Sequence, residues 1–246
     1  MILQLVGRSS NGRTADSGSA YRGSNPCLPA NLFNCISNDR PKRIFLLSPA
    51  NAGGVRGSQL LKESARYGLA WRLQREGLPL GELFSFISGL YFRGKLAYAK
   101  AFAEVPPGIP GALVITACQG LLPPSQMVSI RDLREMLTVP IEPSNPRYRG
   151  PLEREARRLA DWAGEGSEIV LLGSIATTKY VEPLLPILGD RLLFPAEFVG
   201  RGDMSRGGLM LRHVRAGMQL HYIPVATAVR HGPRPGKLPK LRRQDL

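Results

Sequence analysis

From Lys42 onward, short apolar runs alternate with stretches whose apolar residues recur every three or four positions. The first pattern suits strands and the second suits helices. Five runs are predicted strands: Arg43–Leu47, Ala112–Thr116, Glu168–Leu172, Arg191–Phe194 and Gln219–Ile223. Most are apolar at nearly every position, as expected of strands buried on both faces of a parallel sheet. Leu60, Leu61, Ala65, Leu69 and Leu73 make one helical stripe, which ends at Gly77 before Pro79. Leu80, Leu83, Phe84, Ile87 and Leu90 make a second, continued by Leu96, Ala99 and Phe102, with Gly89 and Gly94 placed to bend or divide it. Pro151 opens a charged helix running through Trp162, and Thr177–Leu188 and Ser205–Ala216 complete the helical set. Strand and helix in alternation predict an α/β fold, a Rossmann-like, mostly parallel sheet flanked by helices. One domain over residues 42–229 is expected, between a disordered leader over 1–41 and a basic, Pro/Gly-rich tail over 230–246 that is either a mobile arm or a strap.

The leader lacks apolar periodicity and is full of turn formers. Its codons carry a sharper pattern. Gly23-Ser24-Asn25-Pro26 can be written GGTTCGAATCCC, and Asn11-Gly12-Arg13 can be written AATGGTAGG, 12 codons upstream. Gly7-Arg8 can be GGCAGG, and Cys27-Leu28-Pro29 can contain its complement. In order and spacing these resemble the T arm, D loop and closing acceptor stem of a transfer-RNA gene. The resemblance covers residues 7–30 and implies a mis-assigned start codon, with no bearing on what the rest of the chain does. The alternative is a genuine flexible leader.

Charge changes the picture next. The chain carries 33 Lys+Arg against 19 Asp+Glu, a formal net charge of +14. Residues 1–30 contribute +2 and the tail from Arg230 contributes +5, so the body between them stays basic at +7. Such a balance favours anionic partners: nucleotides, phosphorylated metabolites or nucleic acid. Solvated Lys and Arg faces explain it equally well. No apolar run reaches the length of a membrane span and no secretory signal opens the chain, so a cytoplasmic protein without a membrane partner is expected. Cys27, Cys35 and Cys118 share no ligand-like spacing, and His213, His221 and His231 are scattered. No metal site or cofactor is therefore called for.

In open parallel sheets, ligands sit beyond the carboxyl ends of the strands, so the loops there hold the candidate chemistry. After the first strand, Ser48-Pro49-Ala50-Asn51-Ala52-Gly53-Gly54-Val55-Arg56-Gly57 offers Asn51 and Arg56 to an anion, although it matches neither a dinucleotide fingerprint nor a P-loop. After the second, Cys118 is either a nucleophile or a small buried hydrophobe. After the third, Ser174, Thr177, Thr178 and Lys179 precede or open a helix, the best phosphate candidate in the chain. Plain N-capping would use the same hydroxyls. After the fourth, Glu197 through Gly208 mixes Arg201, Arg206 and Asp203 with glycines. The arginines suit phosphate or carboxylate, and Asp203 or Glu197 suits acid/base work.

These residues support a protein that binds a small phosphorylated or nucleotide-like ligand, with an enzyme acting on a glycosidic or phosphoester bond as its catalytic form. A rival is a non-catalytic nucleic-acid-binding accessory protein using Arg93, Lys95, Arg147, Tyr148 and Arg149, where basic and aromatic side chains interleave. A third reading is a structural scaffold. The layout from the second strand through Tyr148 and Ser174 loosely resembles small bacterial α/β proteins of unknown function. That resemblance implies the fold class and carries over no catalytic residue.

Overall fold

The computed structural model describes residues 42–62, 64 and 68–239. The transfer-RNA-like segment and the leader expectation lie outside the described residues.

The apolar runs pair as a six-stranded sheet. At its centre β1 (Arg43–Leu47) lies parallel to β3 (Ala112–Ile115) on one side and to β6 (Glu168–Leu172) on the other. β7 (Leu192–Pro195) continues the parallel set beyond β6. The edges are antiparallel: β4 (Leu121–Leu122) on β3 and β8 (Tyr222–Pro224) on β7. Ile44–Leu47 and Ile169–Leu172 are almost completely shielded from solvent, the two-sided burial that their unbroken apolar sequence predicts. A separate two-stranded ribbon pairs β2 (Leu78–Pro79) with β5 (Met127–Val128).

The helices are α1 (Val55–Leu61), α2 (Gly68–Arg75), α3 (Leu80–Ser88), α4 (Leu90–Phe102), α5 (Ile130–Thr138), α6 (Pro146–Ala163), α7 (Thr178–Leu188) and α8 (Asp203–Ala216). Parallel crossovers are right-handed, and the winding reverses between β1 and β6, so α4 and α6 belong to opposite faces of the sheet. The observed pairings agree: α4 packs on α8, and α6 packs on α7. No helix among the described residues is long and apolar enough to cross a membrane.

Several elements depart from the sequence reading. The second stripe is two helices, because Gly89 at φ 59° turns the chain between α3 and α4. α6 starts at Pro146 rather than Pro151: the Asn145 side chain accepts from the Arg147 amide at 3.1 Å, and proline fits the first helical position. α5 was not anticipated; it is held at its start by reciprocal Ser129–Asp132 bonds. The last strand is Tyr222–Pro224, antiparallel, in place of Gln219–Ile223. Gly217 and Met218 are spent closing α8, and the Leu220 amide donates to the Tyr98 hydroxyl at 2.7 Å. Residues of the tail through Pro239 lie as a strap over α8. Arg201 and Arg212 donate to the carbonyls of Gly236 and Pro239, and Leu238 packs on the core.

One crossing positions everything that follows. α4 and α8 touch backbone to backbone at Gly94 and Gly207: a Cβ on Gly94 would stand 2.8 Å from the Gly207 carbonyl oxygen, and one on Gly207 would stand 2.9 Å from the Leu90 carbonyl oxygen. Glycine at both positions lets the helices approach this closely, which brings Tyr91 and Lys95 of α4 to Arg206 of α8.

Candidate functional site

Ser48 follows directly on β1 and precedes Pro49, which holds it extended in line with the strand. Its amide donates to the Leu172 carbonyl of neighbouring β6 at 3.2 Å, and its hydroxyl donates to the same oxygen at 3.3 Å. This is the carboxyl edge of the sheet, between the two strands where the winding reverses.

Lys95 reaches this point from α4. Its Nζ donates to both the Ser48 carbonyl and Ser48 Oγ at 2.7 Å. The ammonium lies 4.0 Å from the ring centre of Tyr91, one helical turn earlier, and 5.3 Å from that of Phe92. Lys95 has no exposed surface. Burial draws its pKa from the usual lysine range down to about 7; Asp203 opposes the shift, while Arg206 and Lys179 reinforce it.

Arg206 occupies the α8 side, also buried. Its Nε and Nη2 donate to the Phe198 carbonyl at 3.2 and 3.1 Å, and Nη1 to the Gly173 carbonyl at 3.5 Å. It thus ties the loop after β6 to the loop after β7. A guanidinium has five N–H donors, so one on each Nη remains unspent. Asp203, well exposed, stands 3.9 Å away as its ion-pair partner. Tyr91 completes the floor. Burial pushes its pKa up to about 12; the Arg206 and Ser48 side chains stand close enough to its hydroxyl to oppose the shift as hydrogen-bond partners, although no bond to it reaches full geometry. Tyr180, in the first turn of α7, is buried too, and its pKa is raised chiefly by that burial.

The anticipated loop after β6 is here, arranged differently from ordinary capping. Thr177 occupies the cap position of α7 but gives the helix no side-chain bond, and Ser174 Oγ accepts from the Ala176 amide at 3.3 Å. Thr177 and Thr178 are exposed, and Lys179 lies with its Nζ 5.0 Å from the Tyr180 ring centre. The Tyr148 hydroxyl donates to the Lys179 carbonyl at 2.8 Å and braces this turn from α6.

Other sequence candidates fall elsewhere. Asn51 lines a hollow of about 250 Å³ beside the Ser48 loop, together with Pro49, Phe84, Ala117 and Met136. Arg56 is exposed and donates to the Phe86 carbonyl at 3.2 Å. Arg201 is engaged by the Glu197 carbonyl at 3.0 Å, the Ser205 hydroxyl and the Gly236 carbonyl. Glu197 accepts the His221 amide at 3.0 Å through Oε1, while its buried Oε2 has no partner. Its electrostatic influence falls on Tyr98 rather than on Lys95. A larger hollow, about 460 Å³, lies at the start of β3 between residues such as Leu96, Ala99 and Pro110, apart from the cations.

The nucleic-acid set is corrected in part. Lys95 and Tyr148 are fully buried and cannot lie against a bound strand. Arg149 is held by Glu153 at 2.5 Å and Glu182 at 3.0 Å, while Arg93 and Arg147 are exposed, Arg147 with Glu135 at 3.7 Å. Burial pushes the Cys118 thiol up to about 11, the opposite of an activated nucleophile.

Sequence reasoning therefore missed Ser48, Tyr91 and Tyr180 and placed Lys95 on the surface. The available signal was slight: Lys95 falls one turn after Tyr91 and next to Gly94, on the side of α4 that also carries Tyr98 and Ala99. No protein-family model, no curated protein and no solved structure matches this chain.

Proposed function

We propose that the protein binds a small phosphorylated or nucleotide-like ligand at the carboxyl ends of β1 and β6, in a Rossmann-like arrangement whose reversal of winding opens there. One observation carries this reading. A buried guanidinium, Arg206, keeps N–H donors unspent beside a second cation, Lys95, with Lys179 in electrostatic reach and the nearest carboxylate, Asp203, out in solvent. Burying two cations against a single solvent-exposed carboxylate, 3.9 Å from one of them, costs folding free energy, and an anionic ligand offsets that cost. The uncapped first turn of α7, with Thr177, Thr178 and Lys179, supplies amides and a dipole of the matching sign. Asp203 at the rim is placed to act as acid or base on a glycosidic or phosphoester bond. Glu197, tied to the entry of β8, is not. Nucleic-acid binding is the weaker reading, because its basic set is largely buried or ion-paired.

Calorimetry and thermal shift with inorganic phosphate, nucleoside mono- and triphosphates and sugar phosphates test it. A member of the panel at a hundredfold excess over its Kd should stabilise the chain by about 2.7 kcal/mol. Arg206→Met should weaken that ligand at least tenfold. A panel that leaves the folded chain unmoved would overturn the reading.

A further inference from the structure

Ser48 and Lys95 form a pair that anion binding alone does not use. Among the described residues, the Ser48 hydroxyl meets a lysine amine with no carboxylate between them, and the amine lies on the inner side, since Lys95 has no exposed surface while Ser48 keeps 5% of its own. The opposite approach to the hydroxyl is kept open by Gly173. A Cβ there would stand 3.1 Å from Ser48 Cβ and 3.4 Å from Ser48 Oγ. The Gly173 carbonyl accepts from Arg206 at 3.5 Å, so an anion held by the free Nη donors lies next to that opening. Tyr91, 5% exposed, has its hydroxyl beside Arg206 and Ser48 with no hydrogen bond of full geometry, a buried polar group that a bound ligand satisfies.

Resting on the ligand class proposed above, we propose that Ser48 is the nucleophile of a phosphoester-cleaving site and Lys95 its proton acceptor. The Ser48 hydroxyl turns from the Leu172 carbonyl, its longer contact at 3.3 Å, toward Nζ at 2.7 Å. Oγ bonds to phosphorus as the bond from phosphorus to the alcohol oxygen breaks. The Oγ proton passes to Lys95, and the alkoxide leaves on the solvent side, where water protonates it. A second water, or the hydroxide so formed, then attacks phosphorus. The bond to Oγ breaks, and Lys95 returns the proton to Oγ. In net terms one phosphoester and one water give one alcohol and one inorganic phosphate. Arg206 and Lys179 balance the charge on the phosphoryl oxygens. The groups that face Lys95 are Ser48 after β1, Tyr91 on its own helix, Lys179 and Tyr180 on α7, and Asp203 and Arg206 on α8. The one acid among them is exposed, so the amine can lose its proton near neutral pH and serve as a base.

The test uses diisopropyl fluorophosphate on the full chain, with the adduct mapped by tandem mass spectrometry and the fold followed by circular dichroism. One adduct per chain is expected, on Ser48, forming at a rate that rises with pH and levels off above about 7. Lys95→Met should slow it at least about a hundredfold, the lower range for loss of a general base. Gly173→Ala, which keeps both reacting groups, should slow it at least tenfold. An unlabelled Ser48 in the folded wild-type chain overturns the proposal, as does a folded Lys95→Met chain labelled at the wild-type rate. If Lys95→Met does not fold, the wild-type map, its pH profile and the Gly173→Ala rate decide alone. Phosphate-panel binding with no Ser48 adduct leaves the ligand reading standing and removes only this step.

Discussion

The two edges of the parallel sheet treat positive charge in opposite ways. At the amino edge, Lys42 donates to the last carbonyls of α6, at 3.4 Å for Trp162 and 3.1 Å for Ala163. Beside it Arg43 is held between Glu104 and Glu168 and lies 5.7 Å from the Tyr222 ring centre. Arg43 is matched to two carboxylates and Lys42 to the negative carbonyl end of a helix. At the carboxyl edge, Lys95 rests on a carbonyl and a hydroxyl, Arg206 on two carbonyls, and the nearest carboxylate is at the rim. The same residue types make a structural clamp at one end and an electrostatic vacancy at the other, and only the second has reason to bind an anion. The difference lies in the partners, since both edges have burial.

The contrast is broken most directly at Lys95. Its folded-state pKa, about 7, lies below the ordinary lysine value of 10.5, so the unfolded chain binds more protons between those limits. Stability should therefore rise with pH across that window, by up to ~1.4 kcal/mol per unit, and the penalty should be fully present below pH 7. Denaturant titrations at several pH values should show this slope in the wild type and lose it in Lys95→Met. A slope that survives the substitution would place the unmatched charge elsewhere.

The helix crossing comes next. Gly207→Ala puts a methyl within 2.9 Å of backbone at Leu90 and should cost about 1–3 kcal/mol in chemical denaturation. Because it spreads α4 from α8, it should also weaken phosphate binding, whereas a destabilising change at the amino edge should not. Arg43→Ala supplies that control. Its partners are partly exposed, so the loss should be about 1 kcal/mol or less, with ligand affinity unchanged. Smallest of all, Asp203→Asn should leave stability within about 0.5 kcal/mol while abolishing turnover if the rim carboxylate is the acid or base. Unchanged turnover would assign the proton transfer to the Ser48–Lys95 pair alone.

Local pattern carried much of this protein. β1, β3 and β6 could be read to within a residue because strands buried on both faces must be apolar throughout, and α7 and α8 to within two residues because Gly189 and Gly217 mark their ends. Arg206 and Lys179 were legible as candidates for the carboxyl edge, since each lies in the first turn of a helix that follows a parallel strand. α5 and β8 were not, one being short and weakly apolar, the other an edge strand whose place depends on how α8 closes.

The site itself is assembled over long separations. Lys95 reads as a basic residue in a mixed helix and Tyr91 as core; Ser48 reads as the start of a turn. Apart from Tyr91 and Lys95, one turn apart on α4, nothing nearby in the chain announces the others. They meet because β1 and β6 are neighbours, so Ser48 and Gly173 adjoin, and because glycines at 94 and 207 let α4 and α8 close to backbone contact. Amino-acid order alone determined the parallel strands, most of the helices and the basic character of the body, since each follows from neighbours along the chain. Which cations are buried, and which of those lack a carboxylate, was decided only when distant segments packed, because burial and pairing are properties of contacts between elements and not of any one of them.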